Sequence, residues 1–327
     1  MNLEYTYKKT EKIEEYLQKL QVAKKVMEVL PRFPYFEENL RRQSLLKSSL
    51  FSARIEGNRL YLEEIELLSK QPKKDLAKIE VFNILKALHF IYSSQAPKKI
   101  TKKFILKLHQ IVLAEISPSA GYFRQEPSAI FNQAGIAVYL TPGPDEVLGL
   151  IKKMINKVNQ TKDPGPVKAA TFHFIFEKIH PFLDGNGRVG RLLSTFILKN
   201  SGFGFRGLVS PEEYLEKHRQ IYYDLLLINK KDITEFVEFF LQAAVVQTEK
   251  TLNQLKNVKR EKPEDSLLPR RKEILNLIKN HKLVSFDFLH RRFLKVTKST
   301  LHYDLQQLTK RGFIRKLGAT RGVLYTL

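Results

Sequence analysis

The chain has 327 residues, of which 43% are apolar and 28% charged, an ordinary composition for a protein that buries a core. It contains no cysteine, which excludes disulfides, thiol nucleophiles, iron–sulfur clusters and cysteine-ligated zinc. No apolar run approaches the roughly 18 residues that span a bilayer, and residues 1–18 lack the apolar centre of a signal peptide. We therefore expect a cytoplasmic protein without membrane contact.

The charge is strongly positive, since 56 Lys and Arg stand against 34 Asp and Glu, for a net charge of +22. A balance of this kind favours polyanionic partners such as nucleic acid or nucleotide phosphates.

Apolar residues recur at helical spacing through most of the first 255 residues. The pattern breaks at Pro31 and Pro34, and residues 117–145 are a loop that carries a short hairpin. Helices are predicted over residues 11–30, 40–69 (interrupted at Glu56-Gly57-Asn58), 78–92, 101–116, 146–159, 166–179, 187–200, 211–227 and 233–255. Residues 256–269 are polar and contain two prolines, which predicts a linker.

Residues 180–191, HPFLDGNGRVGR, concentrate a base, a carboxylate, an amide, three glycines and two arginines between two helical patterns. A helix that begins near Gly187 leaves backbone N–H groups bare at its positive end, which favours phosphate binding. Arg188 and Arg191 lie three residues apart, share one helix face, and suit a polyphosphate.

Two further side chains of this segment suggest chemistry. Asp184 is an oxygen ligand suited to Mg²⁺ shared with phosphates, and His180 is a general base for a hydroxyl nucleophile. The glycines also fit G-x-G-x-x-G, but they do not follow a strand and no acidic residue lies near Phe205. His109 and His173 are interpreted as packed, structural histidines.

This segment resembles the signature of Fic proteins, H-x-F-x-[DE]-[AG]-N-[GK]-R-x-x-R. The matching residues are His180, Phe182, Asp184, Gly185, Asn186, Gly187, Arg188 and Arg191. Upstream, Leu108-His109 and Gly121-Tyr122-Phe123-Arg124 resemble the helix and turn that precede the family's flap. The resemblance covers roughly residues 40–245 and implies a mainly α fold, a helical Fic core with a β-hairpin flap.

The family usually transfers AMP from ATP to a protein hydroxyl, so the resemblance implies a role for each residue. His180 deprotonates the hydroxyl, Asp184 binds Mg²⁺, and Phe182 anchors the loop. The implied nucleotide-binding residues are Asp184, Gly185, Asn186, Gly187, Arg188, Gly190 and Arg191. Asn186 and the Gly185–Gly187 backbone would hold the α-phosphate. Arg188 would contact the β-phosphate region and Arg191 the γ-phosphate.

Two softer expectations surround this core. Tyr222 and Tyr223 occupy positions where related proteins place adenine contacts, although tyrosines at helical spacing equally fit a core. The flap is expected over residues 134–141, with Val138, Tyr139 and Leu140, and its edge could receive an extended target segment. An ordinary loop hairpin is the alternative.

The segment Ser52-Ala53-Arg54-Ile55-Glu56-Gly57 resembles the family's inhibitory motif, [ST]-x-x-x-E-[GN]. Ser52, Glu56 and Gly57 are its defined positions. The resemblance implies that Glu56 pairs with Arg191 and occupies the place of the γ-phosphate. The alternative is a solvated carboxylate at a helix end.

Residues 265–327 hold 14 Lys or Arg and 4 Asp or Glu, so +10 of the total +22 falls there. Predicted helices over 271–278, 286–293 and 299–311, then strands from Phe313-Ile314 and at 323–325, resemble a winged helix-turn-helix. The groove-facing positions would be Lys298, Ser299, Thr300, His302 and Tyr303, with phosphate contacts from Arg315, Lys316 and Arg321. Protein contact is the alternative use.

The sequence therefore predicts an autoinhibited protein adenylyltransferase that uses ATP and Mg²⁺ on a target protein, itself included. Its expected parts are an N-terminal helical region (1–98), the Fic core (99–255), the linker (256–269) and the winged helix (270–327), which would bind DNA. The alternatives are a nucleotide-sensing DNA-binding regulator, or a Fic enzyme that removes AMP or transfers another phosphate-containing group. Homodimerisation is left open.

Overall fold

The computed structural model describes residues 4–30, 34–66, 72, 74–131, 137–257, 264, 267–294, 296–318 and 322–327. The chain divides into two compact units. The first comprises Met1–Arg32 and Glu37–Asn257, and the second Phe33–Phe36 and Val258–Leu327. Most of the expected linker lies outside the described residues, and the four-part division stays a prediction.

The first unit is built mainly of helices. They are α1 (Glu11–Val29), α2 (Pro34–Ile55), α3 (Leu62–Glu66), α4 (Leu76–Tyr92), α5 (Lys102–Val112), α6 (Pro144–Gln160), α7 (Gly165–Ile179), α8 (Asn186–Leu198), α9 (Glu212–Lys217), α10 (Arg219–Leu226) and α11 (Thr234–Lys256), with short π and 3₁₀ turns at Lys199–Phe203 and Phe205–Gly207. Strands β1 (Ala129–Phe131) and β2 (Ala137–Leu140) pair antiparallel. The mainly helical fold with a small hairpin is thus confirmed.

Helices α7 and α8 form the centre of this unit. Both are buried along nearly their whole length, and they pack against each other. A helix that is apolar on all sides must be enclosed by others, and α5, α6 and α11 supply that enclosure. The loop between α7 and α8, which carries the HPFLDGNGR segment, therefore connects two of the most deeply buried helices of the unit.

Two helix boundaries differ from the sequence prediction. Pro34 does not end the helical pattern but begins α2, because the first position of a helix needs no N–H donor. The helix expected over 211–227 is split into α9 and α10, since the backbone at His218 is non-helical. Residues 67–69 of another expected helix lie outside the described residues. In the described part of the chain no helix combines the length and apolarity that crossing a bilayer requires.

The second unit contains α12 (Pro269–His281), β3 (Leu283–Ser285), α13 (Phe286–Arg292), α14 (Lys298–Lys310), β4 (Arg315–Leu317) and β5 (Leu324–Thr326). Its three strands form an antiparallel sheet in the order β3-β5-β4. Buried residues of all three helices, including Ile274, Leu289 and Leu301, form its core with Ile314 and Tyr325.

Three features of the second unit differ from the prediction. Strand β3 was not expected, the second strand begins at Arg315 rather than Phe313, and the last runs one residue further, to Thr326. Strands of three residues are too short for a recognisable alternation of apolar and polar residues. Arg321 lies outside the described residues.

Two buried histidines should make the first unit sensitive to acid. His109 and His173 are fully enclosed, as expected of packed histidines, and burial lowers the pKa of His109 to about 4 and that of His173 to about 3. The unfolded chain, with histidine pKa values near 6.5, binds more protons below that pH. The contribution of these two histidines to stability should therefore fall as the pH drops from 7 towards 4, by up to about 1.4 kcal/mol per pH unit for each. Glu177, whose pKa burial raises to about 8, contributes in the opposite direction.

Denaturant unfolding at pH 7 and pH 5 measures this slope. His173→Phe should reduce this slope by the share of one histidine. An equal slope in His173→Phe and the parent protein would contradict the assignment.

Candidate active site

The loop between α7 and α8 makes a sharp turn at each end. His180 ends α7 in the left-handed conformation, with φ 47° and ψ 61°. Gly185 precedes α8 with φ 80°, and a Cβ there would lie 2.6 Å from Leu113 Cδ2. The backbone angle therefore favours glycine at 185, and a larger residue would have to displace the side chain of Leu113, which follows α5.

The amide of Asn186 holds this loop from within. Its Oδ1 accepts a hydrogen bond from Phe182 N and its Nδ2 donates to Phe182 O, both at 2.9 Å. Phe182 itself is buried and stacks on His109 with ring centroids 3.7 Å apart, as expected of a loop anchor. The amide that the resemblance places on the α-phosphate is thus used inside the loop.

His109 connects α5 to the carboxylate end of the loop. Gly121 N donates to its Nδ1 at 2.8 Å, so the opposite nitrogen, 3.1 Å from Asp184 O, is the donor. This pair of contacts defines one neutral tautomer, consistent with the lowered pKa of His109. The sequence identified His109 as structural but not its contact with Asp184.

Arg124 connects the His180 turn to the hairpin. The buried guanidinium donates to His180 O at 2.8 Å, to Glu126 O at 2.9 Å and to Pro142 O at 2.5 Å. The last two acceptors precede β1 and follow β2, so one side chain holds both ends of the hairpin beside the loop. From the sequence, Arg124 was recognised only as part of the turn that resembles the one before the family's flap.

The hairpin is also attached to α7 through Tyr139. The Tyr139 hydroxyl donates to Lys178 O at 3.1 Å, and Lys178 Nζ lies 4.3 Å from the centre of its ring. Val138 and Leu140 point into solvent, with 40% and 79% of their surface exposed. The exposed apolar residues are compatible with the expected flap, although residues 134–136 lie outside the described residues.

His180 lies largely enclosed beside this hairpin. Burial lowers the pKa of the imidazole to about 4, so the ring is neutral near pH 7. Its Nδ1 is buried and has no hydrogen-bond partner among the described residues. A neutral imidazole can accept a proton, which is the state that a general base requires.

Arg191 is held by the end of α2. Its guanidinium donates to Ser52 Oγ at 2.9 Å, to Ser52 O at 2.8 Å and to Glu56 Oε1 at 2.8 Å. A Cβ at Gly187 would lie 2.2 Å from Glu56 Oε1, so the carboxylate rests directly against the first turn of α8. Glu56 is therefore an ion-pair partner of Arg191, as the resemblance implied, and not merely a solvated helix-end residue.

Arg188 is paired with two carboxylates. Nη1 lies 2.5 Å from Glu80 Oε1, and Nη2 lies 2.5 Å from Asp184 Oδ1. The Asp184 side chain is 55% exposed, and no group of three or more His, Asp or Glu suited to a metal occurs within the described residues. A single exposed carboxylate fits Mg²⁺ as an ion shared with substrate phosphates, because Mg²⁺ commonly takes only one or two protein carboxylates.

Two of the expected nucleotide contacts, Tyr222 and Gly190, lie in the core of the unit. Tyr222 is 1% exposed, and its hydroxyl lies 2.6 Å from His173 Nε2. Gly190 faces α7, where a Cβ would lie 2.3 Å from Glu177 Oε1, so the glycine permits helix packing. Tyr222 and Gly190 thus pack in the core, and their nucleotide contacts stay predictions. Half-buried Tyr223 donates to Ile55 O at 2.7 Å, and its adenine contact stays a prediction.

The sequence patterns did not indicate a role in the site for Glu80 or for Asn58, whose side chain donates a hydrogen bond to Glu80. Glu80 lies in α4 between the buried residues Ile79 and Val81. A carboxylate between buried apolar residues of α4 was the available signal, since such groups are seldom enclosed without a charged partner. No local pattern could have indicated that the partner is Arg188.

Comparison with known proteins agrees with this geometry. The family model described as Fic/DOC family matches residues 99–198. The protein adenylyltransferase Fic of Drosophila mojavensis is 31% identical over 223 residues, which are 65% of this chain and 41% of that protein. Its counterpart in Drosophila ananassae is 32% identical over 209 residues, 61% of this chain and 39% of that protein. The chain thus spans about two fifths of these relatives' length.

Solved structures show the same fold. A Fic family protein from Desulfovibrio desulfuricans G20 aligns with a TM-score of 0.69 at 21% identity, covering 98% of this chain and 97% of that one. Fic-1 from C. elegans aligns with a TM-score of 0.63 at 22% identity, covering 75% and 73%. Together with the loop, the hairpin and the matching family model, these similarities show that the chain contains a Fic domain, matched over residues 99–198.

Proposed function

We propose that the chain transfers AMP from ATP to a hydroxyl of a protein side chain, its own included. The observation that carries the proposal is the neutral His180 beside a helix N-terminus that bears Arg188 and Arg191. The curated relatives, named protein adenylyltransferase Fic, support this choice among phosphate chemistries.

In the proposed step, the target hydroxyl oxygen attacks the α-phosphorus of ATP and its proton passes to His180. The bond from the α-phosphorus to the bridging oxygen breaks, and pyrophosphate leaves. Arg188 and Arg191 stabilise charge on the leaving group, and unpaired N–H groups of the first turn of α8 face the phosphates. Asp184 would hold Mg²⁺, which when bound neutralises phosphate charge.

His180→Ala should abolish transfer and leave ATP affinity nearly unchanged, because His180 acts on the hydroxyl rather than on phosphate. Incorporation of α-labelled ATP into protein measures the first, and equilibrium binding of ATP the second. A loss of affinity as large as the loss of rate would show that His180 binds the nucleotide. Full biological activity of the variant would favour the nucleotide-sensing regulator.

The adduct identifies the group that is transferred. Incubating the purified chain with α-labelled ATP, Mg²⁺ and cell lysate, followed by mass spectrometry of labelled proteins, distinguishes AMP from another phosphate-containing group by mass. Loss of AMP from a pre-labelled protein would indicate the reverse reaction instead.

We also propose that Glu56 inhibits the enzyme by competing with the γ-phosphate for Arg191. The support is the 2.8 Å contact between Arg191 Nη2 and Glu56 Oε1, at a guanidinium only 2% exposed. A buried group cannot turn outward to bind both anions, so carboxylate and phosphate exclude each other.

Glu56→Gly should raise transfer and self-labelling above the parent level. A partly shielded carboxylate–guanidinium pair is worth on the order of 1–3 kcal/mol, which corresponds to roughly a 5- to 150-fold gain in productive ATP binding. Arg191→Ala should be inactive alone and when combined with Glu56→Gly, because the phosphate contact is lost as well. The test compares label incorporation by the parent protein, Glu56→Gly, Arg191→Ala and the double variant. Equal labelling by the parent and Glu56→Gly would show that Glu56 is not inhibitory.

For the second unit we propose a winged-helix fold that contacts DNA. The order α12-β3-α13-α14-β4-β5, with the sheet order β3-β5-β4, supports the fold. Lys298, Ser299, His302 and Tyr303 are exposed on α14, whereas Thr300 is half-buried. Arg315 and Lys316 are exposed on β4, while Arg270 and Arg271 are engaged by the buried Asp304.

Binding of duplex DNA by the full chain should weaken steeply with salt. Each phosphate contact releases counterions, so four contacts predict about a 100-fold loss of affinity between about 50 and 200 mM salt. Arg315→Ala combined with Lys316→Ala should reduce that salt dependence, whereas Lys279→Ala should not, because Lys279 pairs with Glu264. Binding that does not respond to salt, or no binding, would indicate protein contact instead.

A further inference from the structure

Arg188 is held by a residue from outside the 180–191 segment. Glu80 of α4 lies 108 positions earlier in the chain, and its Oε1 is 2.5 Å from Arg188 Nη1. The pair is enclosed, with 6% of the arginine side chain and 16% of the glutamate side chain exposed. Removing one member of such a pair leaves the other charge without compensation, unlike an ion pair on the surface.

Glu80 is in turn held by Asn58. Its other oxygen, Oε2, accepts from Asn58 Nδ2 at 2.8 Å, and the same amide donates to Ala77 O at 3.0 Å. Asn58 Oδ1 accepts from Leu60 N, and Asn58 N donates to Ala53 O. With these four contacts the Asn58 side chain and backbone have little freedom, so Glu80 is presented in one orientation.

The turn that ends α2 therefore reaches both arginines of the site. Glu56 contacts Arg191 directly, and Asn58, two residues later, reaches Arg188 through Glu80. Without Glu80, Arg188 would keep a contact only to Asp184, since its Nε is buried and unpartnered among the described residues. Asp184 is largely exposed and is the carboxylate expected to engage the metal, so it is a poor support for the arginine.

We infer that Glu80 is a positioning residue, which orients the Arg188 guanidinium towards the β-phosphate of ATP and is itself kept in place by Asn58. This inference rests on the proposed transferase function. The effect of Glu80 on binding should depend on the number of phosphates in the nucleotide. Arg188 can contact the β-phosphate of ADP and ATP, whereas AMP has no β-phosphate.

The test compares binding of AMP, ADP and ATP to the full chain carrying Glu56→Gly, which leaves Arg191 free, with and without Glu80→Ala. Glu80→Ala should weaken binding of ADP and ATP by roughly 10- to 150-fold, the range for one hydrogen bond to a charged group, and leave AMP binding within about twofold. Glu80→Gln keeps an oxygen acceptor for the guanidinium and should recover part of the loss. Glu63→Ala, at an exposed position of α3, is the matched control.

A double-variant comparison separates positioning from general damage. Adding Glu80→Ala to Arg188→Ala should cause no further loss of ATP affinity, because Glu80 acts through Arg188. If Glu80→Ala does not fold, Asn58→Ala should show the same selective weakening of ADP and ATP, at smaller size.

Equal weakening of all three nucleotides, or unchanged ATP affinity, would overturn the role of Glu80. If the Glu56→Gly parent labels protein while the Glu80 variants bind nucleotides normally, only this inference fails. If that parent binds no adenine nucleotide, the proposed function fails and the inference fails with it.

Discussion

The two hydrogen bonds between the Asn186 amide and the Phe182 backbone set the conformation on which the site depends. They close the loop between α7 and α8, so that the left-handed turns at His180 and Gly185 occur at defined places. His109 and Arg124 then hold the outer atoms of the same loop, one at Asp184 O and the other at His180 O. Each of these contacts ends on a backbone atom of the loop, so none of them engages the His180 imidazole, while the Asp184 carboxylate contacts Arg188.

The charges around this loop are nearly balanced without a ligand. Arg188 and Arg191 contribute two positive charges, and Glu56, Glu80 and Asp184 surround them with three negative ones. A triphosphate entering this cluster must replace some carboxylates rather than add to them, because nearby like charges repel strongly in an enclosed site. The end of α2 thus influences the charge around both arginines, because it supplies Glu56 directly and reaches Glu80 through Asn58.

Burial also decides protonation states around the central helices. It keeps His180 neutral, and it raises the pKa of Glu177 to about 8, so this glutamic acid is mostly protonated near pH 7. Glu177 and His173 both lie against Gly190, and Tyr222 closes the cluster through His173. These groups lie behind Arg191 and form a packed polar layer, which explains why a tyrosine expected beside adenine is part of the interior.

The sequence by itself determined the helical architecture and most of the site, because both depend on residues that are close together in the chain. Apolar residues at helical spacing indicate helices, and the twelve residues from His180 to Arg191 carry the base, the carboxylate and both arginines together. Only the tertiary structure decided which atoms of these residues are free. The Asn186 amide turns inward, Gly190 meets α7, and Glu80 finds Arg188 across 108 positions. Such pairings depend on which helix faces meet, and spacing along the chain carries no information about that.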